Sequence, residues 1–374
     1  MGTKKLLFVG AGAIASYLGA FLWRAGHHVT LVDAWAEQID TIRSHGLSVS
    51  GPHDPFQARP EAVHLHEAAR LPKDYDVAFV ALKVYDTAWA TQLGLRHLAP
   101  DGYVVAAQNC CPDTLVASIA GAPRAVGLVM SKIGVALWKP GHVERGLEKG
   151  QGTGHAVFRP GEHDEHVTPR VTQLAELLSV IDGARATDNL WGERWAKLCQ
   201  NAMGNPVQAL SDLGSLEIAG SEVGRAITIH LAAESARVGR ALGLRVPPFG
   251  GAPAEQWAAA DGRAAYDALD RLLTPASAGG RTWRASMAQD IAKGRPTEIE
   301  HMNGHVVAEG RARGVAAPLS AAVVDVVREV ERGIRKPQPE NIAIVASLIT
   351  RGRGTTLLAP SVDDHARGKV DTRT

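Results

Sequence analysis

Residues 4–33 constrain the fold more than any other stretch. Lys4–Val9 is an apolar run of strand character. Gly10-Ala11-Gly12-Ala13-Ile14-Ala15 is a small-residue turn leading into a helix that reaches about Ala25, where Gly26 stops it. Val29–Val32 then reads as a second strand, ending in Asp33. Strand, glycine turn, helix and strand in that order open a parallel, doubly wound sheet. Gly10 permits the tight turn, Gly12 lets backbone approach a pyrophosphate, and Ala15 is small enough for close helix–strand packing. Ala13 and Ile14 start the helix, whose free N–H groups and positive dipole end suit phosphates. The plain alternative is a βαβ turn without a ligand. The position at the N-terminus and the acid at the end of the second strand favour a dinucleotide. Asp33 can accept both ribose hydroxyls of NAD and repels the 2′-phosphate of NADP, and no Lys or Arg follows it until Arg43. NAD is therefore the expected cofactor, with NADP the alternative.

The same layer continues along the chain. Asp76–Leu82 is a continuous apolar run, as in a parallel strand buried on both faces, with Lys83 at its carboxyl end. Tyr103–Ala107 is a further strand, followed by Gln108-Asn109. Ligands of doubly wound sheets bind at the carboxyl ends of strands, so Lys83 and Asn109 are expected to face the cofactor. A solvated lysine is the bland alternative for Lys83. Ala125–Leu137 and Gly154–Phe158 are read as more strands of this layer. Gly161–Val167 (GEHDEHV) reads as a polar loop rather than a metal site, and no metal is expected.

Charge excludes some functions. Forty Lys and Arg nearly balance thirty-nine Asp and Glu, so no basic field for nucleic acid or membrane surfaces is expected. No apolar run approaches the roughly 20 residues that span a bilayer, and no signal peptide is expected before the first strand. The chain has three cysteines, Cys110, Cys111 and Cys199, with no CxxC pair. A reducing cytoplasm is the expected compartment.

From Asn189 the pattern becomes almost wholly helical. Trp191–Leu210 (WGERWAKLCQNAMGNPVQAL) is read as one helix in which Lys197, Asn201 and Asn205, spaced i, i+4 and i+8, share a row. One amine and two amides are groups that recognise hydroxyls and carboxylates; a surface lysine with incidental amides is the alternative. Further helices are expected over Ser221–Gly239, Ala254–Leu273, Ala285–Lys293, Glu298–Gly314 and Ala321–Arg332. The domain reading is 1–188 for a dinucleotide-binding α/β domain, 189–350 for an all-α domain, and 351–374 for a polar tail.

Three features occur in a specific order: the GAGAI turn, the WxKLxxNxxxNPxxAL-like stretch, and SMAQDIAKGRPTEIEHMNGHVV over Ser286–Val307. In the last, Thr297 is a candidate N-cap, with Glu300 in the acid-preferring first turn. Together they resemble the ketopantoate reductase (2-dehydropantoate 2-reductase) family over about Lys4–Gly333. The resemblance implies a Rossmann domain followed by a helical domain, with the active site between them. It implies Lys197 as general acid, Glu298 as the carboxylate orienting that lysine and the substrate hydroxyl, and Asn201, Asn205 and Ser286 as substrate-binding groups. It implies Asn109 and Lys83 beside the nicotinamide and its ribose. A small oxo or hydroxy substrate and a homodimer are expected.

The chain departs from the family pattern at Ala15, at Asp33, and at Cys110-Cys111-Pro112 after Asn109, where the family usually has Gly. It also carries extra material over Gly250–Arg281 and the tail. Trp257 and Trp283, in or beside that region, are read either as lining a larger, aromatic-tolerant pocket or as core. Three functions compete: reduction of ketopantoate; NAD-dependent oxidation of a different, bulkier or aromatic hydroxy substrate; and nucleotide sensing without catalysis, against which Lys197 and Glu298 argue.

Overall fold

The computed structural model describes residues 2–276, 282 and 284–351. Eleven strands form its N-terminal half: β1 (Lys5–Val9), β2 (His28–Asp33), β3 (Leu47–Ser50), β4 (Phe56–Ala58), β5 (Glu61–His64), β6 (Tyr75–Val80), β7 (Leu98–Ala106), β8 (Ala125–Met130), β9 (Val135–Lys139), β10 (His142–Arg145) and β11 (Phe158–Gly161). Seven make one sheet in the order β11-β8-β7-β6-β1-β2-β5. All pairs in it are parallel except β11 with β8. The order reverses direction at β1, so the switch point lies between β1 and β6, at the carboxyl ends that carry the glycine turn and Lys83.

Strand character follows burial on both faces. Leu6, Phe8, Val77 and Phe79 belong to one apolar cluster, and Leu7, Val9, Ala78 and Val80 to another, so alternate side chains of β1 and β6 serve opposite faces of the sheet. The Phe8 and Phe79 rings stack with centroids 4.5 Å apart.

The edge of this domain differs from expectation. β9 is not in the main layer; it joins β10, β3 and β4 in a four-stranded sheet. Of Gly154–Phe158 only Phe158 is in a strand, β11. Short strands such as the three-residue β4 have too few alternating positions to stand out in a sequence.

The second half is helical. Leu190–Ala202, Asn205–Ser211, Glu222–Ala241, Ser286–Ala292, Asn303–Ala312 and Pro318–Glu331 surround a separate core that includes Leu198, Met203, Ile229, Trp257, Val306 and Val327. Gly239 on the long helix lies against the Trp195 indole, where any Cβ would collide with the ring. Val84 and Cys110, from strand ends of the first half, belong to this same core, so the domains share packed apolar surface.

Three helices begin or end elsewhere than expected. The Trp191–Leu210 stretch breaks after Ala202, and Asn205 starts a new helix. Pro206 explains the break: it lacks the N–H that would continue the first helix's bonding, whereas in the first turn of a new helix that N–H is not needed. Lys197, Asn201 and Asn205 therefore do not share one helix. Ala254–Leu273 splits into Ala254–Ala258 and Arg263–Leu273. The Glu298 helix begins only at Asn303; Thr297 instead caps a turn, its Oγ accepting from Ile299 N at 3.2 Å.

Trp257 is fully buried, its ring stacked on Phe249 and its Nε1 donating to Phe249 O at 2.8 Å. Of the two readings of Trp257, core packing is the one realised. Trp283 and residues 352–374 lie outside the described residues. Among the described residues, no helix is long and apolar enough to cross a membrane.

Candidate active site

The glycine turn is built as its sequence requires. Gly10 has φ +113°, a conformation side chains rarely adopt, and its N–H donates to Val32 O at 2.7 Å. Gly12 is the N-cap of Ala13–Arg24, and a Cβ placed on it would meet nothing within 4 Å. The turn thus forms an open cradle beside unsatisfied helix N–H groups, and it fits a dinucleotide phosphate. Ala15 is fully buried against the sheet, while Ala13 and Ile14 are half-buried at the rim. Gln38, missed in the sequence, braces the turn: its Nε2 donates to Ala11 O at 3.1 Å and its Oε1 accepts from Gly141 N at 2.7 Å. Asp33 stands beside this cradle. Its carboxylate accepts from Ala11 N at 2.5 Å and Trp35 N at 2.8 Å.

The next strand ends supply the other wall. Gln108, just beyond β7, donates to Leu82 O at 3.1 Å and to Lys83 O at 3.0 Å, tying the two ends together. Lys83 crosses to the helical domain, where it hydrogen-bonds Asp290 and lies 3.6 Å from Glu298 Oε2. Glu298 Oε1 accepts from Val84 N at 2.9 Å. Burial alone would lower the Lys83 pKa; the Glu298 and Asp290 charges outweigh it and raise the value. The Asp290 carboxyl is pushed up by burial, against the pull of Lys83. Asp290 was not anticipated. Its signal was the i+4 spacing from Ser286, which puts both on one side of the short helix Ser286–Ala292.

The lysine helix is clamped to the sheet by Arg194, also unanticipated. Arg194 donates to Gln108 O at 2.9 Å and to Asp113 Oδ1 at 2.8 Å, and both partners in this ion pair are buried. One turn on, Lys197 is partly buried. Among the described residues its side chain makes no hydrogen bond or ion pair. Its pKa falls to about 8, first through burial and then through the nearby Arg159 and Arg194 charges.

The other expected residues meet in two pairs. Asn201 Nδ2 lies 3.4 Å from Asn109 Oδ1, and Asn205 Nδ2 lies 3.5 Å from Ser286 Oγ. Both contacts are at the long limit of hydrogen bonding, so these groups have donors and acceptors to spare for a ligand. Cys110, between Asn109 and the helical core, is buried with φ +63°. That backbone region favours glycine, so Cys110 holds it at a conformational cost.

One expected contact is absent. Glu298 is not the ion-pair partner of Lys197: its two oxygens are directed to Lys83 and the Val84 amide. Residues 297–302 form a turn rather than a helix, which holds the carboxylate against the end of β6. Arg295 was also overlooked: its guanidinium lies 5.1 Å from the centre of the Trp35 ring, two residues after Asp33.

Known proteins share the two-domain plan. Residues 6–154 match the model of the family "Ketopantoate reductase PanE/ApbA" and residues 189–331 that of "Ketopantoate reductase PanE/ApbA C terminal". The chain is similar to a 2-dehydropantoate 2-reductase of Archaeoglobus fulgidus, at 27% identity over 89% of this chain and 100% of the other. It is similar to one of Mesorhizobium japonicum at 28% identity, covering 88% and 99%. Among solved structures, a PanE/ApbA family ketopantoate reductase from Ralstonia eutropha superposes with TM-score 0.70 at 25% identity, covering 88% and 99%. A D-mandelate dehydrogenase solved with NADH and anilino(oxo)acetate shares the fold, with TM-score 0.70 at 20% identity over 88% and 98%. This chain belongs to the ketopantoate reductase family and is an oxidoreductase on that family's two-domain plan.

Proposed function

We propose that this protein interconverts a 2-oxo acid and its 2-hydroxy acid, with ketopantoate the first candidate, and that Lys197 is the general acid and base. The observation that carries the reading is Lys197 itself. An amine without a partner among the described residues, partly buried and with its pKa at about 8, stands one turn before Asn201 on the same helix, and the Asn201 amide meets Asn109 of the other domain. A structural lysine would be paired or fully solvated; this one is partly buried with no partner among the described residues, and pKa values near the operating pH are what proton transfer needs.

Bound nicotinamide would supply or accept the hydride at the reacting carbon. In reduction, the Lys197 ammonium stabilises negative charge growing on the carbonyl oxygen and delivers its proton there. In oxidation, neutral Lys197 accepts the proton of the alcohol. Asn201, Asn205 and Ser286 orient the acid by hydrogen bonds to its carboxylate and hydroxyl. Glu298 and Asp290 act through Lys83, which they hold at the end of β6 on the cofactor side.

Asp33 supports NAD(H) as the favoured cofactor, because a carboxylate at the end of β2 beside this cradle would accept ribose hydroxyls and repel a 2′-phosphate. Oxidation of a bulkier or aromatic hydroxy acid is the second reading. Trp257 lends it no support, since the ring is consumed by the core. Initial rates with ketopantoate, pantoate and a panel of 2-oxo and 2-hydroxy acids, each with both cofactors, test the proposal. Turnover of at least one such acid that is lost in Lys197→Ala is expected; no turnover of any would overturn it.

A further inference from the structure

The loop from Lys293 to Thr297 leaves the helical domain and lies along the cofactor side of the α/β domain. It is fastened at three places. Lys293 Nζ donates to Leu137 O at 2.9 Å and sits 4.5 Å from the centre of the Trp138 ring. Pro296 O accepts from Tyr85 Oη at 3.3 Å. Between these points Arg295 places its guanidinium over Trp35, 5.1 Å from the ring centre. Trp35 is bound in turn to Asp33 through its backbone N–H, at 2.8 Å.

Arg295 is exposed, and among the described residues no carboxylate pairs with it. Holding a long, exposed cation in one place costs side-chain entropy, and the stack on Trp35 offsets only part of that. The position has a chemical meaning. A dinucleotide whose pyrophosphate rests on the Gly12 cradle directs its adenosine ribose toward Asp33. Trp35 follows Asp33 by two residues and is hydrogen-bonded to its carboxylate, so a cation over the Trp35 ring stands beside that ribose site. The stretch after β2 has no cation of its own, and Arg295 brings one there from the other domain, in the planar form that binds phosphate with two parallel hydrogen bonds.

We propose that Arg295 is a specificity residue supplied across the domain boundary, receiving a phosphate on the 2′ oxygen of the adenosine ribose. It offsets the repulsion from Asp33, so that a chain with an acid at that position still accepts NADP(H). The inference rests on the dinucleotide reading of the glycine turn. It also ties cofactor choice to domain closure, because the phosphate would bridge the two halves.

Calorimetric titration of the full chain, without substrate, tests it. The ligands are NADH, NADPH, 5′-AMP and adenosine 2′,5′-bisphosphate. Arg295→Ala is expected to weaken NADPH and the bisphosphate by about tenfold or more, and NADH and 5′-AMP by no more than about twofold. Arg295→Lys keeps the charge but not the planar fork, and its NADPH loss is expected to be smaller. It also serves if the alanine variant does not fold. Equal loss for NADH and NADPH would move the guanidinium to the shared pyrophosphate and overturn the 2′ assignment. Unchanged binding of all four would reduce the contact to packing and overturn the proposal. Wild-type protein that binds neither NADH nor NADPH would overturn the dinucleotide reading, and this proposal with it.

Discussion

Replacing Lys197 by Met should make the protein inactive and more stable at once. The ammonium is partly buried without a partner among the described residues, and its pKa drops from 10.5 to about 8. Because the folded-state pKa is depressed, the unfolded chain holds more protons between about pH 8 and 10.5, and wild-type stability rises with pH across that window. Below pH 8 the charged lysine carries its full desolvation cost. At 1.36 kcal/mol per pH unit that cost is ~3 kcal/mol at pH 7, shrinking to ~2 kcal/mol at pH 9 and vanishing above about 10.5. Methionine keeps the length and the apolar stem without the charge, so Lys197→Met should recover up to that amount. Urea unfolding followed by circular dichroism at pH 7 and pH 9 measures it, with an unchanged denaturant slope confirming that stability alone has moved. The gain must be larger at the lower pH. A variant less stable than wild type at pH 7, or a gain that grows with pH, would refute the account of this lysine as an unpaired, desolvated cation.

The other outcomes concern the rest of the cleft. Alanine at Asn201, Asn205 or Ser286 should chiefly raise KM, each by the ~1.5–3 kcal/mol of a hydrogen bond to a charged group, and leave cofactor affinity measured by fluorescence titration almost unchanged. Asp33→Ala should weaken NADH and narrow the gap between NADH and NADPH; calorimetry that shows NADH untouched would remove Asp33 from the ribose site. Cys110→Gly exchanges a buried thiol for relief of its φ of +63°, two effects of ~1 kcal/mol and opposite sign, so thermal melting should show a near-neutral change.

How far the sequence could be read depended on how local each feature is. The Gly10–Asp33 unit is set by neighbours in the chain: the turn needs glycine at Gly10, and the acid ends the adjacent strand. It was legible in full. The Asn201–Asn109 and Asn205–Ser286 pairs were legible as single residues through the family motifs, but not as pairs, because the partners lie 92 and 81 residues apart in the chain. The continuous lysine helix was misread because apolar spacing runs unbroken through Met203, whereas the backbone obeys Pro206. Glu298 was assigned to the wrong lysine for a related reason. The choice between Lys83 and Lys197 depends on where residues 297–302 fold as a turn, and no periodicity records that. Asp290, Arg194 and Arg295 carry ordinary charges in ordinary contexts; only the approach of the two domains gives them partners. Trp257 is the converse case, a large ring whose surroundings, not its type, put it in the core.

The central claim is that Lys197 moves the proton, and the pH dependence of turnover tests it most directly. With the best 2-oxo substrate and saturating cofactor, the rate of reduction should be level below about pH 8 and fall as pH rises through it, since the acid must be protonated. With the corresponding 2-hydroxy acid the rate of oxidation should rise through the same value, where neutral lysine becomes available. Opposite limbs meeting near pH 8 are the predicted result. Reduction that stays level from pH 7 to about pH 10, in wild-type protein that remains folded, would contradict it.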